Sequence, residues 1–106
     1  MLMEEFLEHL RNHNYRDWLI VRMARETRWP LEEVSWIQVK DLRGSEVERH
    51  DGSRALISEE LIELSLSYRR QVTHPSRLLF LTRDGRPIHR SALNQTVRLL
   101  GGKLGY

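Results

Sequence analysis

The chain has 106 residues, 40% hydrophobic and 30% charged, with three prolines, six glycines and no cysteine. This fits one compact domain spanning residues 1–106, and it excludes a disulfide scaffold, a thiolate nucleophile, a zinc knuckle and wholesale disorder. Residues 1–63 carry 9 basic and 14 acidic side chains, whereas residues 64–106 carry 8 basic ones and a single acid, Asp84, so a net charge of +2 hides a basic C-terminal part suited to a polyanion.

No apolar run approaches the roughly 18 residues of a membrane helix, and the acidic start Met1-Leu-Met-Glu-Glu-Phe lacks the basic region of a signal peptide. A cytoplasmic protein is expected. Leu2, Met3, Phe6, Leu7 and Leu10 recur at helical spacing and predict an amphipathic helix ending around Arg11 to Asn14. His9 and His13 lie one turn apart on it, a metal-ligand spacing without a third ligand, and read as solvent-exposed histidines with no metal expected. From about Arg16 to Thr27, the residues Trp18, Leu19, Ile20, Val21, Met23 and Ala24 predict a buried core helix.

Pro30 suits the first turn of a third helix, predicted to run to about Gln38, with Glu32 and Glu33 at the positive end of its dipole. Those two carboxylates argue against this helix as a DNA reader in a helix-turn-helix. Glu46 to Arg49 and Arg54 to Ile57 flank an Asp-Gly turn and predict a hairpin. Ser58 caps a fourth helix reaching about Val72, with Leu61, Ile62, Leu64, Leu66 and Tyr68 available for packing. Thr73-His-Pro-Ser76 breaks it. Leu78 to Leu81 reads as a short apolar strand or extended piece, followed by the turn Arg83-Asp-Gly-Arg86 and a last helix over roughly Arg90 to Leu100, stopped by Gly101-Gly102. The fold class is α+β, mainly α-helical, with helices around a short β-hairpin.

This order of elements resembles the first half of the tyrosine recombinase, or phage integrase, catalytic domain. Thr27-Arg-Trp-Pro-Leu-Glu-Glu-Val34 looks like that family's Thr-Gly-Leu-Arg-Ile-Ser-Glu-Leu box, keeping Thr27 and Glu33, and Ile37 and Asp41 fit the Leu and Asp that follow. Arg54-Ala-Leu-Ile-Ser58 is similar to the end of the family's hairpin. Leu79-Phe80 with Asp84-Gly-Arg-Pro-Ile88 is similar to the Leu-Phe, Gly, Pro-Leu segment that precedes a DNA-contacting helix. The resemblance covers roughly residues 3 to 105 and implies a truncated integrase-like core.

The departures bear on chemistry. The family cleaves DNA with a tyrosine, clamps the phosphoryl transition state with two arginines and protonates the leaving group from a hairpin lysine. In this sequence the first arginine falls on Pro30, which carries no side-chain donor. Near the lysine position stand only Arg49 and Arg54, and a guanidinium holds its proton too tightly to be a good general acid. The family's His-x-x-Arg box and tyrosine would follow the last helix seen here. His74-Pro-Ser-Arg77 spells that box but lies before the Leu-Phe strand. Tyr15 and Tyr68 read as packing residues, and Tyr106 is the last residue of the sequence. Catalytic residues and cofactors are therefore not expected.

DNA contact is the remaining expectation. The resemblance places the DNA-contacting helix at His89, Arg90, Asn94, Gln95 and Arg98, where Arg90, Asn94 and Arg98 share one helical face. Asn, Gln and Arg pair with base edges, and arginine neutralises phosphate. Arg83 and Arg86 on the preceding turn, with Arg49 and Arg54 on the hairpin, would extend that surface. The leading expectation is a noncatalytic accessory or regulator of recombination, integration or transcription whose partner is double-stranded DNA. The alternatives are a protein-interaction or dimerisation module, docking through Trp29, Trp36 or the acidic half onto a second copy or a recombinase, and an enzyme half completed by another chain.

Overall fold

The computed structural model describes residues 3–82 and 84–88. Among them are four α-helices and a three-stranded antiparallel sheet. Helix α1, Met3–His13, begins with Glu4 and Glu5 and ends with Arg11 and His13, each sign opposing the nearer end of the helix dipole. One residue, Asn14, joins it to α2, Tyr15–Thr27. The Asn14 side chain accepts the Asp17 amide at 3.2 Å, and its own amide donates to the Leu10 carbonyl at 2.7 Å, so the same residue closes one helix and caps the next.

Helix α2 is the hub of the core. Trp18, Leu19, Ile20, Val21 and Met23 are all buried on it, and Leu7, Leu10 and Ala24 pack against the cluster they begin. Its end is marked by Arg28, a non-glycine residue in the left-handed conformation (φ 64°) whose amide donates to the Ala24 carbonyl. Thr27 Oγ1 donates to the Met23 carbonyl at 2.7 Å and accepts the Trp29 amide at 3.2 Å, setting the path into Pro30. Helix α3 then occupies only Leu31–Ser35.

The expected extension of α3 to Gln38 is not made. Trp36 ends the helix, and the chain straightens so that Gln38 forms a bridge with Leu78. The Val39 amide donates to the Arg77 carbonyl and the Leu79 amide to the Ile37 carbonyl, both at 2.9 Å, so backbone pairing with a distant segment replaces the last helical turn. A 3-10 turn at Val39–Asp41 leads into the sheet. Strand β1, Leu42–Arg43, was not expected from the sequence, and it pairs with β2, Glu46–Glu48, which pairs with β3, Arg54–Leu56.

Register puts Leu42, Val47 and Ala55 opposite one another, and all three belong to or pack against the core. The alternate positions Arg43, Glu46, Glu48, Arg54 and Leu56 form the other face. Ser58 caps α4, Glu59–Arg70, by accepting the Leu61 amide, and its own amide donates to Glu26 on α2 at 2.7 Å. Leu61 and Ile62 are buried, while Leu64, Leu66 and Tyr68 pack around them. Helix α4 stops at Arg70 rather than Val72, and Leu79, Phe80 and Leu81 then run through the core. Among the described residues no helix is long and apolar enough to cross a membrane.

Candidate nucleic-acid interface

The hairpin joining β2 to β3 turns tightly at Gly52 (φ 90°), with the Arg49 amide donating to the Ser53 carbonyl at 2.7 Å and the Ser53 amide to Asp51 Oδ1 at 2.9 Å. This turn carries Arg49 and His50 to the beginning of α3, beside Trp29 and Glu33. Glu33 Oε2 lies 3.2 Å from Arg49 Nε and 3.2 Å from His50 Nδ1. The Arg49 guanidinium also sits over the Trp29 ring, 5.4 Å from its centre. The Arg49 hydrogen bond holds the Glu33 carboxyl below the usual carboxylate range, and Glu33 in turn makes Arg49 still harder to deprotonate.

Arg54, 64% exposed, lies 3.9 Å from Glu46 on the outer sheet face. Arg86 is exposed on the next turn, where the Thr82 amide donates to the Arg86 carbonyl at 2.8 Å and the Arg86 amide to Thr82 Oγ1 at 3.1 Å. Thus two of the expected DNA-binding arginines are engaged by carboxylates, whereas Arg86 makes no ion pair among the described residues. Arg83, His89, Arg90, Asn94, Gln95, Arg98 and the expected last helix lie outside the described residues.

The structure also brings together basic residues that sequence reading kept apart. Lys40 and Arg77, both exposed, flank the single bridge between Gln38 and Leu78. A 37-residue separation and a pairing of one residue on each side leave no periodic signal from which this could be read. His74-Pro-Ser-Arg77 forms a loop held from behind by Arg69, whose guanidinium donates to the carbonyls of Val72, His74, Ser76 and Leu78 at 2.8–3.2 Å. The His74 ring covers Gly85. Tyr68 is half-buried, ring to ring with Tyr15 and Phe80, and burial pushes its hydroxyl above the usual phenol range. An open cleft of about 570 Å³ lies between the α1–α2 junction and the end of α4, lined by His13, Tyr15, Arg16, Tyr68, Gln71 and His74 among others, and it shares no residue with the Glu33 cluster.

Comparisons with protein-family profiles and with curated proteins find no match. Among solved structures, the crystal structure of XerA recombinase aligns with 99% of this chain at a TM-score of 0.77 and 18% sequence identity. The fold is recombinase-like. The chain spans 41% of the XerA recombinase chain it matches, so the likeness is to part of that protein. Within this recombinase-like fold, Pro30 caps α3 between Trp29 and Glu33, the two residues that meet Arg49 of the hairpin, at the position where the sequence resemblance puts an arginine.

Proposed function

We propose that the chain is a noncatalytic DNA-binding protein, an accessory or regulatory factor in DNA recombination, integration or transcription that works in the cytoplasm. The observation that carries this reading is a recombinase-like fold in which Pro30 caps the helix whose Glu33 pairs with Arg49, at the place where the family resemblance would put a phosphate-clamping arginine. Proline offers no donor to a developing phosphorane charge, and losing one such donor typically costs about 3 kcal/mol of transition-state stabilisation. Glu33 falls on the Glu of the family's box, so Pro30 rather than that carboxylate carries the reading, and here the carboxylate pairs with the Arg49 guanidinium. Arg49 and Arg54 can hold a phosphate but are poor proton donors to a leaving alkoxide.

Double-stranded DNA is the partner this reading assigns, because the fold is shared with a recombinase and because basic side chains dominate residues 64–106. Arg86, Arg90 and Arg98 would supply phosphate contacts, with Asn94 and Gln95 facing base edges. Incubation with a mixed-sequence duplex tests both halves of the proposal. A shifted band on a native gel, with no covalent protein-DNA adduct on a denaturing gel, is expected. An adduct would overturn the noncatalytic assignment, and an unshifted duplex the DNA-binding one.

A second reading has one observation in its favour. Trp36 is 54% exposed at the end of α3, a large amphipathic ring of the kind enriched at protein interfaces. Trp29, in contrast, packs against the core beneath Arg49 and is not available for docking. If the chain pairs with a second copy or a recombinase through Trp36, Trp36→Ala abolishes the larger mass in light scattering and leaves duplex binding in place.

A further inference from the structure

Helix α1 turns Leu7 and Leu10 toward the core and leaves His9 and His13 exposed. Their rings stack, with centres 4.1 Å apart and planes inclined by 26°. One helical turn separates their backbones, so the helix itself holds the two imidazoles side by side. His13 Nδ1 lies 2.9 Å from the His9 carbonyl oxygen. A carbonyl can only accept, so Nδ1 carries the proton and, in the neutral ring, the lone pair is on Nε2. A histidine that donates through one ring nitrogen to a backbone carbonyl, leaving the other free, has the tautomer and orientation that metal-bound histidines usually have.

We infer that His9 and His13 form a two-imidazole site for a divalent transition ion of borderline softness, such as Ni²⁺, Cu²⁺ or Zn²⁺, which swings the two exposed rings out of their stacked arrangement so that Nε2 of His13 and a ring nitrogen of His9 converge on it. Imidazole suits these ions, whereas Mg²⁺ and Ca²⁺ prefer oxygen ligands. Among the described residues no group of three metal-ligating side chains occurs, so water fills the rest of the coordination sphere. Glu4, Glu5 and Glu8, exposed on the same helix, add a negative field that favours a dication. The site lies outside the Glu33 cluster and is independent of DNA binding. Its effect on the fold is to clamp the last turn of α1, since an ion that binds the folded pair and not the unfolded chain stabilises the helix by mass action.

The test titrates the full chain with NiCl₂ by calorimetry and follows the histidine ring resonances by NMR. The paramagnetic ion is expected to broaden His9 and His13 before the other histidines. His9→Ala and His13→Ala should each weaken binding by roughly a hundredfold, because the second nitrogen of a chelate binds at high effective concentration. Ni²⁺ should raise the thermal midpoint of the parent and not of either variant. Both substitutions are at exposed helical positions and replace histidine with a better helix former, so the variants keep their fold, which circular dichroism verifies. The inference is overturned if either variant binds as tightly as the parent, or if His50, His74 or His89 broadens first.

Discussion

The Glu33 carboxylate accepts the Arg49 Nε–H at 3.2 Å, joining the start of α3 to the hairpin tip across 16 residues of sequence. His50 shares the same oxygen at 3.2 Å. One carboxylate thus holds two cationic or potentially cationic side chains at the corner where Pro30 stands.

This pairing makes stability depend on pH in a defined direction. Glu33 is held below its ordinary range chiefly by the Arg49 hydrogen bond, and Asp51 by its hydrogen bonds from Ser53. A carboxyl depressed in the folded state contributes fully above its unfolded value and loses that contribution as pH falls through the folded value. The thermal midpoint of the parent should therefore exceed that of Glu33→Gln near neutral pH. The gap should close as pH falls below the ordinary carboxylate value of about 4.5 and through the lowered folded value. Melting curves across that range check it, and a gap that stays constant would mean that the ion pair contributes nothing.

Gly85 has φ +80°, and a Cβ built on it would come within 2.5 Å of His74 Cγ. Gly85→Ala meets both left-handed strain and the His74 ring, and should cost about 2 kcal/mol or more in urea denaturation. In a His74→Gly background, which removes the ring and also the His74 Cβ 2.8 Å away, the steric part disappears, leaving a cost of about 1 kcal/mol. Equal costs in the two backgrounds would show that the ring does not press on this turn.

Arg69 reaches four carbonyl oxygens of the loop after α4. Lysine has the charge but not the planar fork, so Arg69→Lys should lose about 2 kcal/mol of stability. It should also speed hydrogen exchange at the Leu79 amide, which donates to Ile37. Unchanged exchange at Leu79 would show that the loop holds its shape without the guanidinium.

Much of this architecture was legible in the sequence. The apolar spacing in α1, α2 and α4, the Ser58 cap and the Asp-Gly turn are local signals, and each produced the element it announced within a few residues. The end of α3 was not, because it is set by pairing of Gln38 with Leu78, a contact no local pattern encodes. Strand β1 has two residues, too few to show alternation. For the candidate interface, arginine positions could be counted but not their partners. Glu33 read as a helix-dipole residue and as the Glu of the family's box, and its engagement of Arg49 arises from how the hairpin folds over α3. Trp29 read as an exposed docking residue for the same reason, since the guanidinium that covers it comes from the hairpin.

The proposed function predicts that duplex affinity is electrostatic and rests on Arg86, Arg90 and Arg98. Fluorescence anisotropy with a labelled mixed-sequence duplex, at about 50 and 200 mM salt, measures this directly. If those three arginines each neutralise one phosphate, affinity should fall roughly 40-fold over that interval, and each replacement by alanine should reduce the salt slope by about one. Glu33→Gln, which frees Arg49, should bind more tightly than the parent. Failure to bind at the lower salt, or an affinity indifferent both to salt and to the three arginines, would contradict the account.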